Sequence, residues 1–144
     1  LPEGPVSFAP GGLMAHGSPV DEDLYLLEID QARRCLEARS FDLCLFGHTH
    51  YPSLFREEGG DLRVALLRGD RVEVPLPPGR RHLLNPGSVG QPRDRDPRSS
   101  FALYDDTERS FTLHRVPYPL ETTRRKILDA GLPATLGDRL RFGA

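Results

Sequence analysis

A single lysine, Lys126, stands among nineteen basic side chains, and tryptophan is absent altogether. With 21 acidic residues the formal charge is −2, so no global positive field holds nucleic acid, and a polyanion would have to be met locally. Cysteine is scarce as well. Cys35 falls on a helical pattern and Cys44 inside an apolar strand, which reads as two buried free thiols and argues against a disulfide-stapled secreted scaffold. No apolar run approaches the ~18 residues of a membrane span, and no charged-then-apolar leader opens the chain. The expected setting is cytoplasmic, with no membrane partner. The 144 residues are one domain's worth of material, and "LPEGPVSF", which begins at Leu1 rather than methionine, reads like a passage from the interior of a longer protein.

What is present is patterned. Residues 5–15 alternate around "PGG" as a hairpin whose second strand ends at His16. Ser18, Pro19 and Asp21 then carry the signals of a helix start, and a helix over 19–39 is expected, with Tyr25, Ile29, Ala32 and Leu36 on one face. "FDLCLF" follows as a short buried strand, so residues 12–46 form a parallel crossover unit. Beyond 52 the pattern turns to antiparallel β: a hairpin across "RGD" at 68–70, a short strand "HLLN", and a second hairpin over "SFALYDDTERSFTLHRV". Leu120, Ile127 and Leu128 mark a helix closed by Gly131 and Pro133, with a last short helix around Leu136 and Leu140. The segment at 89–100, "VGQPRDRDPRSS", reads as a solvated loop of self-compensating charge in preference to a phosphate-binding loop.

The chemistry concentrates where apolar strands run out. In extended backbone His48 and His50 would point the same way, and imidazole is the commonest metal ligand. His16 ends another strand of the same crossover unit, and adjacent parallel strands bring their C-terminal ends to one edge, where open α/β sheets place ligands. Three histidines are therefore expected to converge. His82 and His114 read instead as structural or exposed.

The strings "LMAHGSP", "LCLFGHTHYP", "LLNPGSVGQPRD" and "SFALYDD", in that order and each at a strand end or strand, resemble the C-terminal half of calcineurin-like metallophosphoesterases, in particular the small bacterial and archaeal branch. The resemblance runs on through "VPYPLETTRRKILDAGLP". It implies a mixed α/β fold, the two-sheet αββα sandwich, of which residues 1–144 would be the C-terminal part. It also implies two divalent metal ions, with manganese, iron, zinc, nickel and magnesium all candidates. His16 and His48 would ligate one ion and His50 the other. Such ions polarise a phosphoryl oxygen and activate water for in-line attack on a phosphomonoester, phosphodiester or nucleotide. Gly17 and Gly47 would keep the backbone slim beside the ions, and residues 85–90 would form a turn at the rim.

The family's remaining ligands come from Asp-x-His, Gly-Asp-x-x-Asp and Gly-Asn-His-Asp motifs, none of which occurs in the fifteen residues before His16. Three neutral imidazoles do not neutralise two divalent ions. The chain alone is therefore expected to be inactive, and its partners would include an N-terminal segment or a partner chain carrying the carboxylates; homo-oligomerisation stays open. No side chain can be named as a general acid or base. The alternative from another class is a non-catalytic scaffold that keeps the fold and binds a protein; retention of all three histidines weighs against it. A nucleic-acid partner is not expected, because the arginine clusters are interleaved with acids and lack stacking aromatics.

Overall fold

The computed structural model describes residues 4–144; Leu1 and the start of the "LPEGPVSF" passage lie outside them. Two β-sheets pack face to face. The larger holds six strands, β1 (Val6–Ala9), β2 (Gly12–Met14), β3 (Leu43–Leu45), β4 (Ser53–Glu58), β5 (Asp61–Leu66) and β7 (His82–Asn85), in the order β1-β2-β3-β7-β4-β5. The smaller holds β6 (Arg71–Pro75), β8 (Ser99–Asp105) and β9 (Ser110–Val116), with β9 central and both pairings antiparallel. This is the mixed α/β two-sheet architecture expected.

Strands β2, β3 and β7 run parallel, Leu13 beside Cys44 and Cys44 beside Leu83. The crossover between β2 and β3 contains α1 (Ile29–Ala38), whose Ala32, Cys35 and Leu36 are buried at the i, i+3, i+4 spacing of one helix face. They join Phe41, Cys44, Phe46, Phe55 and Leu83 in a core on one side of the large sheet. On its other side Leu43, Leu54, Leu84, Phe111 and Leu113 fill the space between the sheets. Both thiols are buried and free. Helices α2 (Leu120–Asp129) and α3 (Ala134–Asp138), followed by a 3₁₀ turn at Arg139–Phe142, form the C-terminal cluster, as expected.

Three expectations are corrected. The helix begins at Ile29, not near 19: the Ser18 hydroxyl accepts from the backbone N–H groups of Val20 and Asp21 as a cap does, but the chain turns away. Gln31 instead caps the helix, its Oε1 accepting from the N–H groups of Leu27 and Glu28. The strands on either side of "RGD" do not form a hairpin, since β5 pairs with β4 and β6 crosses to the other sheet. The hairpin lies one strand earlier, across Gly59 and Gly60, whose φ values of 63° and 87° suit a two-residue turn that favours glycine. Finally, the 89–100 segment is not simply solvated. It wraps Arg115, whose side chain is 1% exposed and paired with Asp94 and Asp96.

Candidate metal centre

Because β2, β3 and β7 are parallel, their C-terminal ends share one edge of the large sheet, and each releases a loop there. His16 follows β2 by two residues, the "GHTH" loop follows β3, and Asn85 closes β7. The Gly47 N–H donates to the His16 carbonyl at 2.8 Å, so the first two loops are joined by backbone before any side chain is considered.

The histidine loop is not extended strand. His48 and His50 both have φ of 62°, in the left-handed region that non-glycine residues rarely occupy. Their side chains therefore do not share a face by strand alternation, and the loop, not the pleat, aims them. What holds this conformation is Asn85, fully buried, whose Nδ2 donates to the Gly47 carbonyl at 2.8 Å and to Thr49 Oγ1 at 2.9 Å. Asn85 Oδ1 in turn accepts from the Gly87 N–H. Thr49, itself buried, accepts from the Tyr51 N–H. One amide thus saturates the loop interior, in agreement with the requirement that buried polar groups be paired.

The result brings His16 and His48 together. His48 Nδ1 stands 3.0 Å from His16 Nε2, and their ring centroids are 4.7 Å apart. That separation is hydrogen-bond distance, and it sets two imidazole nitrogens from different loops where they would hold one ion together. His50 is anchored separately: its Nδ1 lies 2.7 Å from the Gln91 carbonyl. That is the second partner a metal-binding imidazole ordinarily has, and it leaves Nε2 with its lone pair. Burial pushes the His50 imidazole below the ordinary histidine value against the pull of the Gln91 carbonyl, and the charges of Arg93, His48 and His16 add to the depression. Neutral imidazole, the ligating form, is favoured.

The donor set fits part of a metal centre. Among the described residues no three His, Cys, Asp or Glu side chains come close enough to surround one ion. The imidazoles bring no negative charge to offset that of a divalent ion.

Tyr25 was not legible as part of the site, since its spacing put it on a helix face. In the structure it belongs to the irregular 19–28 segment, is 42% exposed, and its ring centroid lies 4.1 Å from that of His48. Gly17 makes this possible: a Cβ there would lie 2.2 Å from the Glu22 carbonyl oxygen, so only glycine admits the segment that carries Tyr25. Gly17 therefore serves the packing of this loop. Behind the histidines an apolar cleft of about 330 Å³ opens between the sheets, lined by Met14, Ala15, Phe46, Gly47 and Tyr104 among others. The remaining histidines are away from this edge: His82 is buried beside Arg56 and Arg80, and His114 stacks on Phe101 at 5.3 Å.

Comparison with known proteins identifies the family and the fold. The model of the calcineurin-like phosphoesterase superfamily domain matches residues 11–109. An uncharacterized protein of Methanocaldococcus jannaschii is 37% identical over 102 residues, 71% of this chain and 40% of that protein. The crystal structure of a metallophosphoesterase from Sphaerobacter thermophilus superposes with a TM-score of 0.87 at 33% identity, covering 95% of this chain and 58% of that one. A hypothetical protein of Pyrococcus horikoshii shares the fold, with a TM-score of 0.61 at 22% identity over 92% of this chain and 46% of its own. The chain thus spans about half the length of the relatives it matches. Its paired histidines at a parallel sheet edge, its two-sheet fold and the match over residues 11–109 place it in the calcineurin-like phosphoesterase superfamily.

Proposed function

We propose that this chain is the C-terminal part of a phosphoesterase that depends on two divalent metal ions and hydrolyses phosphomonoesters or phosphodiesters, nucleotides among them. The observation that carries this is the 3.0 Å approach of His48 Nδ1 to His16 Nε2, with His50 of the same loop held separately through Nδ1 on the Gln91 carbonyl. His16 and His48 would hold one ion and His50 the other; manganese, iron, zinc, nickel and magnesium all accept imidazole or the oxygen ligands that would complete the set. Bound there, divalent ions supply concentrated positive charge against the phosphoryl oxygens and favour attack by water.

The chain's own contribution is positioning. Asn85 and Thr49 fix the left-handed loop so that His48 and His50 are aimed before ligands arrive, and Tyr25 covers one face of His48. The carboxylates that charge balance demands would come from a further segment or a partner chain. A cytoplasmic location belongs to the same proposal, supported by the two buried thiols left unpaired. Among the described residues no helix is long and apolar enough to cross a membrane.

The test is hydrolysis of p-nitrophenyl phosphate and bis-p-nitrophenyl phosphate by the full-length protein with added Mn²⁺. Wild type is expected to turn over at least one of them, and His48→Ala and His50→Ala to lose at least ~100-fold, in line with removal of groups that hold transition-state charge in place. Equal rates in all three proteins would dismiss the proposal.

A further inference from the structure

On the His50 side of the edge lies a second depression of about 360 Å³, lined by Tyr51, Leu66, Arg68, Arg93, Asp94 and Arg95. Its distance from the histidines is short in bonds as well as space. Tyr51 follows His50 directly, and Gln91 holds both sides, its carbonyl on His50 Nδ1 and its Oε1 accepting from Arg93 Nη2 at 3.0 Å. The charge of Arg93 reaches His50.

The charge balance of this pocket is unusual for the molecule. Among the described residues neither Arg68, Arg93 nor Arg95 has a carboxylate oxygen within 4.0 Å, although the neighbouring Arg98 is paired with both Asp70 and Asp96. The one acid that lines the pocket, Asp94, is already committed to the buried Arg115. Three arginines thus line one small space with a single carboxylate, whose Oδ2 is held by Arg115 while its Oδ1 and Arg93 Nε are buried without a partner among the described residues.

The pocket is also built. Arg95 occupies the left-handed region at φ 68°, and its N–H donates to the Gly143 carbonyl at 2.9 Å, so the C-terminus pins the loop. Arg115 Nη1 donates to the Arg98 carbonyl of the same loop. Arginine's planar fork is suited to phosphate and carboxylate oxygens, and clustered like charges that lack acids are best offset by an anion. A volume near the lower end of the small-molecule range fits one anionic group rather than a polymer.

We infer that Arg93, with Arg68 and Arg95, receives a second anionic group of the substrate, so that the preferred ester carries negative charge beyond the phosphate that is cleaved. The inference rests on the proposed phosphoesterase reading for the word substrate, but the pocket itself does not. It names a substrate class that charge alone can recognise: a phosphate ester that carries a second phosphate or a carboxylate elsewhere in the molecule.

Two experiments on the full-length protein separate the claims. Calorimetric titration with inorganic pyrophosphate in EDTA is expected to show binding that Arg93→Gln weakens at least tenfold and that Arg68→Gln, an exposed position on a different segment, weakens several-fold. In the hydrolysis assay Arg93→Gln is expected to raise KM for adenosine 3′,5′-bisphosphate at least tenfold more than KM for p-nitrophenyl phosphate, with Arg93→Lys recovering part of the difference. Superimposable pyrophosphate titrations for wild type, Arg93→Gln and Arg68→Gln, or equal changes of KM for both esters, overturn the inference. Pyrophosphate binding that depends on Arg93 in a protein that cleaves no ester upholds the pocket and overturns the phosphoesterase reading instead.

Discussion

Nδ1 of His48 faces Nε2 of His16 at 3.0 Å, across 32 residues of chain that leave one strand end, pass through a helix and return at the end of the next. Two residues that ligate one ion act as a unit, and their removal should not be additive. Single alanine substitutions at 16 and 48 are each expected to lower Mn²⁺ or Zn²⁺ affinity of the full-length protein by at least ~100-fold, and the double substitution to add little further. Competition with a chelating dye measures all three. Fully additive losses would show that the two imidazoles serve separate centres.

Tyr25 meets His48 through its ring, the centroids 4.1 Å apart and the planes tilted by 49°. Tyr25→Phe should therefore behave as wild type, whereas Tyr25→Ala removes a contact of roughly 0.5–1.5 kcal/mol and should reduce metal affinity about 3- to 10-fold. Gly17→Ala is expected to resemble Tyr25→Ala at least, because its Cβ would displace the segment at Glu22 that leads to Tyr25. If Tyr25→Phe is as impaired as Tyr25→Ala, the hydroxyl matters and the ring-contact account is wrong.

Asn85 is the keystone of the loop. Asn85→Ala strips the Gly47 carbonyl, the Thr49 hydroxyl and the Gly87 N–H of their partner in a buried setting, and should destabilise by about 2–4 kcal/mol. Asn85→Asp keeps the shape but sets a carboxylate oxygen against the Gly47 carbonyl, and should be no better. The midpoint of urea unfolding reads both; a shift below about 0.5 kcal/mol for either would mean that the loop is held by something else.

His82 predicts an acid-sensitive component of stability. It is 2% exposed, and burial, aided by the charges of Arg56, Arg80 and Arg109, pulls its imidazole from 6.5 to about 4. The folded state thus binds the proton less readily than the unfolded chain. Its stabilising contribution is complete above pH 6.5 and is lost as pH falls towards 4, by roughly 3 kcal/mol in total. His82 Nε2 is also buried without a partner among the described residues, so His82→Leu should flatten the stability profile between pH 6.5 and 4 at little penalty at pH 8. An unchanged profile in His82→Leu would assign the acid sensitivity to other groups.

The thiols should be silent until the fold opens. Burial pushes the Cys44 thiol up to about 12, with Cys35 adding to it, and burial raises Cys35 as well. The thiolate is the reactive form, so a disulfide-exchange reagent at pH 8 should modify neither in the native protein and both in urea. Rapid native labelling of Cys44 would contradict the core described for α1 and β3.

Some of this was open to reading from residue order. The "LCLF" run, the Ala32–Cys35–Leu36 spacing and the hairpin before His16 specify a βαβ crossover because burial of periodic apolar residues is a local property of the chain. Partner choice is not local. The residues of β5 and β6 alternate equally well, and nothing in "RGD" tells that one strand stays in the large sheet while the next leaves it. The Gly59–Gly60 turn was the available signal and lay one strand earlier. Ser18 shows the same limit at a helix end: a serine that satisfies two N–H groups caps a turn as readily as a helix.

Residue order by itself determined that three histidines would stand at the ends of buried strands, because strand, helix and strand in succession return the chain to a common edge. Its reading of their aim, His48 and His50 pointing the same way from extended backbone, does not hold. Two left-handed residues, an asparagine from a third strand, a tyrosine outside any helix and a carbonyl more than forty positions away decide that, and each acts only once β2, β3 and β7 are laid side by side. The reason is physical: a strand's alternation is dictated by its own backbone, whereas a strained loop persists only where distant groups over-determine it.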